Sequence, residues 1–307
     1  MTSMNTTGRS LLQSDAGVLE GSSRTFAGGH GGILPTSQWL AGLRGIRPGL
    51  VLAWSVITIV VLWGLFPHWF TNYSGTVGIA RQQLRAPSAD HWLGTDVLGR
   101  DLLARIIYGT SQSLSGAVVA VGVGLLVGTA LGLVAGAARG RVEGVVMRAV
   151  DVLLSIPQLL LSLSIVILLG FGTVNAAIAV GVTSIASFAR LARSEVVRVR
   201  ASDYVEAAFG SGGTFLRVLL RHILPNSLTS VIALAALQFG SAILAISTLG
   251  FLGYGAPPPT PEWGLLIAEG RNYIARAWWL TTAPGLVVIL VVLSANRISR
   301  SFGKAGA

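Results

Sequence analysis

The sequence contains no cysteine, and only 11% of its 307 residues are charged. Without cysteine, the chain can form neither disulfides nor thiolate metal sites. Soluble domains have about a quarter of their residues charged, and a soluble chain of this length needs polar residues to cover its core. With 52% hydrophobic residues, the composition is typical of a membrane protein.

Motifs for built-in chemistry are also lacking. The chain has a single lysine, Lys304, and no phosphate-binding loop of the form GxxxxGK[ST]. Arg148 and Asp151, about one helical turn apart in an apolar run, predict a local ion pair rather than a proton relay. We therefore predict no catalytic residues, no metal site and no enzymatic activity, so that any uphill transport must be powered by a partner. The four histidines are widely separated: His30, His68, His91 and His222.

What the sequence does contain is six apolar runs of about the length that crosses a hydrocarbon core as a helix. They predict an all-α, polytopic membrane protein with six transmembrane helices. Glycines recur about every four residues between Gly122 and Gly136, a spacing that lets helices pack closely in lipid. The runs are Gly49–Phe66, Ser113–Ala138, Val145–Leu169, Val174–Ala189, Ser227–Leu249 and Trp279–Ala295.

The polar segments divide the chain into four parts. Residues 1–48, rich in Gly, Ser and Thr, predict a poorly ordered cytoplasmic tail. Residues 49–112 hold the first span and an extracytoplasmic segment. Residues 113–302 form the core with five spans, including a loop at about 202–226, and residues 303–307 form a second cytoplasmic tail.

The distribution of basic residues predicts the orientation in the membrane. If the N-terminus is inside, sixteen of the 22 Lys and Arg residues fall in internal segments. Cytoplasmic loops carry the excess of basic residues in membrane proteins, so we predict that both termini are cytoplasmic. This placement explains the formal net charge of +10 without a nucleic-acid partner.

The segment Glu206–Asn226 interrupts the apolar pattern with charged residues and glycines. We predict a short helix capped by Ser202 or Asp203, then a turn at Gly212, then an amphipathic helix leading through Pro225 into the fifth span. A short, rigid helix just below the membrane is suited to dock in a groove of another protein.

Five residues of this segment resemble the EAA loop of ATP-binding-cassette (ABC) importer permeases. Glu206, Ala207 and Ala208 match the three letters of the motif, Gly212 follows the glutamate by six residues, and Pro225 follows that glycine by thirteen. In that family the loop is the coupling helix that docks on the cytoplasmic ATPase.

Other stretches resemble the C-type subunits of the dipeptide and oligopeptide branch. They are RHILPN at residues 221–226, the segment at 91–110, the stretch at 151–161 and the loop at 247–274. The pattern usually has an apolar residue three before the proline, where this chain has His222. The resemblance covers roughly residues 40–302.

The resemblance implies a type I ABC importer permease in a bacterial plasma (inner) membrane. It implies a heterodimer with a second homologous permease, two cytoplasmic ATPase domains and an extracytoplasmic peptide-binding protein, with lipid around the spans. This chain would bind no cofactor, since ATP and Mg would lie on the partner ATPases. The cargo implied is dipeptides or oligopeptides.

Four residues outside the loop are candidate extracytoplasmic contacts. Asp96, Arg100 and Asp101 lie in a predicted turn with Asp caps beside an amphipathic helix, next to the translocation path. Trp263 follows a Pro-rich stretch and is either an interfacial anchor or part of a docking face for a substrate-delivering protein.

The alternatives to peptide import are of two kinds. Close relatives of this branch carry nickel complexes or glutathione, and nothing in the sequence discriminates these cargoes. A membrane scaffold or enzyme, or a passive channel, would be a protein of a different class. No constellation supports an enzyme, and no ring of polar residues within a span suggests a selectivity filter.

Overall fold

The computed structural model describes residues 48–138 and 140–305, so the predicted N-terminal tail lies outside the described residues. The first half of this part contains five helices. They are α1 Pro48–Leu65, α2 Leu102–Ala138, α3 Gly140–Ser155, α4 Gln158–Leu169 and α5 Thr173–Arg200.

The second half alternates short and long helices. It comprises α6 Asp203–Gly210, α7 Phe215–Val218, a π-helical turn at Leu219–Ile223, α8 Leu224–Phe251, α9 Trp263–Gly270 and α10 Trp279–Ala305. Short 3₁₀ turns occur at Pro67–Trp69, Ala80–Gln82 and Arg271–Tyr273. The described ranges contain no strand, which confirms the all-α prediction.

The six predicted spans correspond to five long helices and one bent pair. The run expected as the third span is broken into α3 and α4, which meet at 96°. The bend falls at Pro157, which immediately precedes α4. Because proline lacks an N–H group and its ring clashes with the preceding turn, α3 ends before it.

Several helices are longer than the apolar runs that predicted them. Helix α2 begins at Leu102 rather than Ser113, and the side chain of Asp101 caps it by accepting a hydrogen bond from the Ala104 amide at 2.7 Å. Helix α5 continues to Arg200, so the polar insert expected to begin at Arg190 is helical for its first turns. Both helices therefore include polar residues beyond the apolar runs that predicted them.

Glycines of α2 form its contact with α5. A Cβ atom built at Gly128 would lie 2.5 Å from the carbonyl oxygen of Ile185, and one at Gly132 would lie 2.5 Å from that of Ala189. Gly124 and Gly136 are similarly crowded by α5, whereas a Cβ at Gly122 would meet nothing within 4 Å. The predicted packing role therefore holds for these four glycines and not for Gly122.

Ion pairs between α3 and α5 correct one sequence-based expectation. Asp151 pairs with Arg190 of α5 at 2.6 Å, rather than with Arg148 of its own helix. Glu143 pairs with Arg193, whose Nε donates to the carboxylate at 2.8 Å. Packing of α3 on α5 therefore brings Arg190, distant in sequence, into ion-pair contact with Asp151.

Candidate functional site

The loop between α5 and α8 (residues 201–223, hereafter the α5–α8 loop) folds as a helix, a turn and a second helix. After α6, Gly212 adopts a φ of +84°, a left-handed conformation that favours glycine. The amides of Gly212 and Gly213 donate to the carbonyls of Phe209 and Ala208 at 3.0 and 3.1 Å. This turn provides hydrogen-bond donors for the carbonyl groups at the end of α6 and redirects the chain into α7.

One face of the α5–α8 loop is anchored by apolar packing. Val205 of α6, Val218 of α7 and Ile223 of the π-helical turn are at most 1% exposed. They form one buried cluster with Val196 and Val199 at the end of α5. Burying side chains of this kind contributes roughly 1.5–3 kcal/mol each, so the loop is held firmly against α5.

Arg200 ties the start of the loop to the end of α2. Its Nη1 donates a hydrogen bond to the carbonyl oxygen of Ala137 at 2.6 Å. Its guanidinium carbon also lies 5.7 Å from the centre of the Phe215 ring, within cation–π range. The loop is therefore positioned by α2 and α5 together.

The opposite face of the loop is exposed. Glu206, Ala207 and Gly212 are exposed, as is Pro225 just beyond the loop, while Ala208 is half-buried against the apolar cluster. Large apolar side chains are exposed beside them, at Tyr204, Phe215, Leu216 and Leu220, together with the cations Arg217 and Arg221. Among the described residues, Glu206 has no ion-pair partner. This mixed surface offers both charge and apolar area to another protein.

Two local expectations about the loop have different outcomes. Pro225 occupies the first turn of α8, as predicted for a proline at a helix start. Ser202 stands at the N-cap position of α6 without capping it, because its hydroxyl donates backwards to the Val199 carbonyl at 2.5 Å. The π-helical turn at Leu219–Ile223 does not follow from the sequence, because the helical spacing of the apolar residues does not distinguish a π-turn from an α-helix.

A second polar assembly, the cap, lies at the other end of α2. It comprises residues 82–105 and 262–269. In it, Asp96 accepts hydrogen bonds from Arg100 Nε at 2.5 Å and Arg105 Nη1 at 2.8 Å, and both arginines also pair with Glu269. Asp96, Arg100 and Arg105 are at most 4% exposed. Buried charges are tolerated because they are paired.

Asp101 joins a second buried pair in the cap. One carboxylate oxygen caps α2, and the other lies 2.8 Å from His91 Nδ1. The other ring nitrogen of His91 lies 3.1 Å from the side-chain oxygen of Gln82. This arrangement confirms the predicted capping role of Asp101 and fixes the chain before α2.

Trp263 and Glu262 attach α9 to α2. Trp263 is fully buried, and its indole N–H donates to the Ile106 carbonyl at 3.1 Å. Glu262 caps α9 by accepting from the amides of Gly264 and Leu265, both at 2.9 Å. Burial raises the pKa of Glu262 to about 7, although these two hydrogen bonds oppose the shift.

The structure therefore changes the interpretation of the four cap candidates. Asp96, Arg100, Asp101 and Trp263 are at most 5% exposed, so in this conformation they hold the cap together. Trp263 is not exposed in this conformation, because its indole packs inside and donates a hydrogen bond to α2. Sequence reasoning missed Arg105 and Glu269, which pair with Asp96 and Arg100 only in the folded chain.

Comparison with known proteins places this geometry in a family. The family model described as binding-protein-dependent transport system inner membrane component matches residues 128–305. The dipeptide transport system permease protein of Alkalihalophilus pseudofirmus is 40% identical over 264 residues, covering 85% of this chain and 87% of that protein. The probable D,D-dipeptide transport system permease protein of Escherichia coli is 37% identical over 78% of this chain and 81% of its own length.

A third relative carries a different cargo name. The glutathione transport system permease protein of Escherichia coli is 37% identical over 263 residues, which cover 85% of this chain and 86% of that protein. Relatives named for dipeptides and for glutathione are thus similarly close in sequence.

Solved structures share the fold at low sequence identity. An inward-facing structure of the MetNI methionine ABC transporter matches with a TM-score of 0.54 and 20% identity, over 66% of this chain and 97% of that one. An amino acid ABC transporter with histidines matches with a TM-score of 0.53 and 16% identity, over 66% of this chain and 94% of that one. The chain therefore belongs to the binding-protein-dependent transport system inner membrane components and is a permease subunit of an ABC importer with the type I permease fold.

Proposed function

We propose that this subunit imports dipeptides or oligopeptides and couples to cytoplasmic ATPases through α6. The observation that carries the proposal is the two-faced α5–α8 loop. One face is buried against α5, while Glu206 and its neighbours are exposed without an ion-pair partner among the described residues. A loop that is rigid on one side and exposed on the other can transmit force from a docked protein.

The proposed mechanism follows from what the loop contacts. ATP binding closes the ATPase dimer, and α6 moves with the surface on which Glu206 docks. Because Val205 and Ile223 pack on Val196 and Val199, this displacement is passed to α5 and α8. Tilting of these helices would turn the translocation cavity from one side of the membrane to the other. The chain itself hydrolyses nothing.

The other parts of the proposal concern partners and orientation. The importer would contain a second homologous permease as heterodimer partner, cytoplasmic ATPases and an extracytoplasmic peptide-binding protein. Both termini would be cytoplasmic, as the arginine distribution predicts. ATP and Mg would bind to the ATPases and not to this chain. Whether Asp96, Arg100, Asp101 and Trp263 support contacts with the binding protein stays a prediction.

The cargo is proposed from the relatives. The names of two relatives specify dipeptides, and that of a third specifies glutathione, which is itself a small peptide. Glutathione is therefore the second candidate cargo, whereas no relative described above supports nickel complexes. Binding measurements on the genetically linked binding protein, with dipeptides, oligopeptides and glutathione compared, would decide between them.

The test of coupling is charge reversal in the exposed loop. In the assembled importer, Glu206→Arg should abolish most substrate-stimulated ATPase activity and peptide uptake, and Gly212→Pro should do the same by distorting the turn. Asp90→Arg is a matched control, because Asp90 is also exposed but lies in the cap, at the other end of α2 from the loop. Membrane insertion should be unchanged in all three. Normal uptake by both loop variants would refute docking through α6.

A further inference from the structure

A groove between α1 and α10 has an unusual combination of walls. Its volume is about 570 Å³, and it lies where α1 begins and α10 ends. Most of its length is lined by aliphatic side chains, and its rim carries two arginines. The apolar wall includes Leu52, Val56, Leu290 and Leu293, and the rim consists of Arg297 and Arg300.

The two arginines are available to bind an anion. Both are exposed, and neither forms an ion pair with any carboxylate in residues 48–138 or 140–301. They lie three residues apart on α10, so their side chains project from the same face of the helix. A Cβ atom built at Gly49 would lie 3.3 Å from Arg297 Nη2, which means that the guanidinium runs closely along the backbone of α1.

The position of the arginines matches the boundary of a bilayer. Arg297 follows Trp279, the first residue of α10, by eighteen residues, or about 27 Å at 1.5 Å per residue. That length is close to the thickness of a hydrocarbon core, about 30 Å. Trp278, next to the start of the helix, is exposed, as expected for an aromatic anchor at the opposite interface. The arginines therefore lie at headgroup depth and the leucines below them.

We propose that this groove binds an anionic phospholipid, with the phosphate on Arg297 and Arg300 and one acyl chain along the apolar wall. Guanidinium groups recognise phosphate oxygens in bidentate geometry. Leu52, Leu290 and Leu293 are exposed and would contact the acyl chain. Free phosphate would use the rim but leave the apolar wall uncovered. A protein partner would bury the leucines but would also have to supply an anion to the arginines. The inference does not depend on which cargo the importer carries.

The experiment uses the full chain purified in a non-ionic detergent. Phosphatidylglycerol and phosphatidylcholine of the same acyl composition are titrated in, and bound lipids are counted by native mass spectrometry. We expect the wild type to prefer phosphatidylglycerol. The double variant Arg297→Gln with Arg300→Gln should bind it roughly 30-fold more weakly, because it removes two phosphate contacts that each strengthen binding roughly fivefold. The control, Arg141→Gln with Arg148→Gln, removes two exposed arginines of α3 and should bind like the wild type.

Several outcomes would overturn the proposal. They are equal binding of the two lipids by the wild type, unchanged phosphatidylglycerol binding by the groove variant, or equal weakening in the control. Displacement of the lipid by millimolar inorganic phosphate would also count against it, because the apolar wall would then contribute nothing. If the double variant does not purify, Arg300→Gln alone decides, with an expected weakening of roughly fivefold.

Discussion

The two ends of α2 lie in polar regions of opposite character. At its start, Asp96, Arg100 and Arg105 of the cap are buried, and each has an ion-pair partner. At its end, the α5–α8 loop exposes Glu206 and Arg217 to solvent. The charged residues of the cap pair with one another and stabilise it. The charged residues of the loop are exposed and can contact another protein. Burial and pairing, rather than the number of charged residues, therefore separate the structural region from the candidate docking region.

The largest expected effect tests the cap. Asp96→Ala leaves Arg100 and Arg105 buried with only Glu269 to balance them. Breaking a buried charge network in this way costs about 3–5 kcal/mol of stability. Thermal unfolding of the purified chain should show a large drop in Tm. The control Asp90→Ala, at an exposed position, should change Tm little, and equal drops in both variants would contradict the distinction between buried and exposed charges.

The next effect depends on pH. The folded protein holds a proton on Glu262 up to about pH 7, whereas the ordinary pKa is 4.5. Because the folded state binds this proton more tightly than the unfolded state, protonation of Glu262 stabilises the fold. The stabilisation is fully present below pH 4.5 and is lost as the pH rises through 7. Relative to Glu262→Gln, the wild type should therefore lose Tm between pH 5 and pH 8. Parallel Tm curves for the two proteins would show that the carboxyl does not titrate in this range.

A smaller effect is expected at the turn of the loop. Gly212→Ala places a side chain at a φ of +84° and should cost about 1–2 kcal/mol. Gly210→Ala is the matched control, because Gly210 is helical and a Cβ there meets nothing within 4 Å. Denaturant or thermal unfolding of both variants measures the difference. If they are equally stable, the left-handed conformation at Gly212 is not what the turn requires.

The smallest effect on stability is expected at Glu206. Glu206→Gln removes an exposed charge without an ion-pair partner among the described residues. The free energy of unfolding should therefore change by less than about 0.5 kcal/mol, and Tm should change little. Substrate-stimulated ATPase activity of the assembled importer should nevertheless fall. A variant that loses Tm and activity together would place Glu206 among the structural residues and break the contrast with the cap.

Much of the architecture follows from the sequence because it depends on local patterns. Apolar runs of membrane length identified the five long helices and the bent pair, and the position of Pro225 at the start of α8 follows from its missing N–H. The turn at Gly212 follows from the conformational freedom of glycine. The four-residue glycine spacing indicated close packing, which the contact of Gly132 with α5 confirms.

What the sequence did not reveal depends on contacts distant along the chain. From the sequence, Trp263 is predicted to be an interfacial or docking residue. Its burial against Ile106 depends on the packing of α9 on α2, which the sequence does not reveal. Arg148 is closer to Asp151 along the chain than Arg190 is. Asp151 nevertheless pairs with Arg190, because α3 packs on α5. Arg105 has no pattern that marks it as the centre of an ion-pair network, because Glu269 is brought to it by the fold.

The glycine contact between α2 and α5 has a mechanical consequence. Helix α2 has 37 residues and is about 55 Å long, with Arg105 of the cap near one end and Ala137, which Arg200 holds, at the other. Gly128 and Gly132 bring it so close to α5 that an added Cβ would lie 2.5 Å from a backbone carbonyl oxygen, so the two helices are tightly packed along this contact. The two helices thus form a stiff lever. If a docked protein pushes on the loop, as proposed above, we expect this pair to rotate as one rigid body, so that the push reaches the cap at the far end of α2 with little bending.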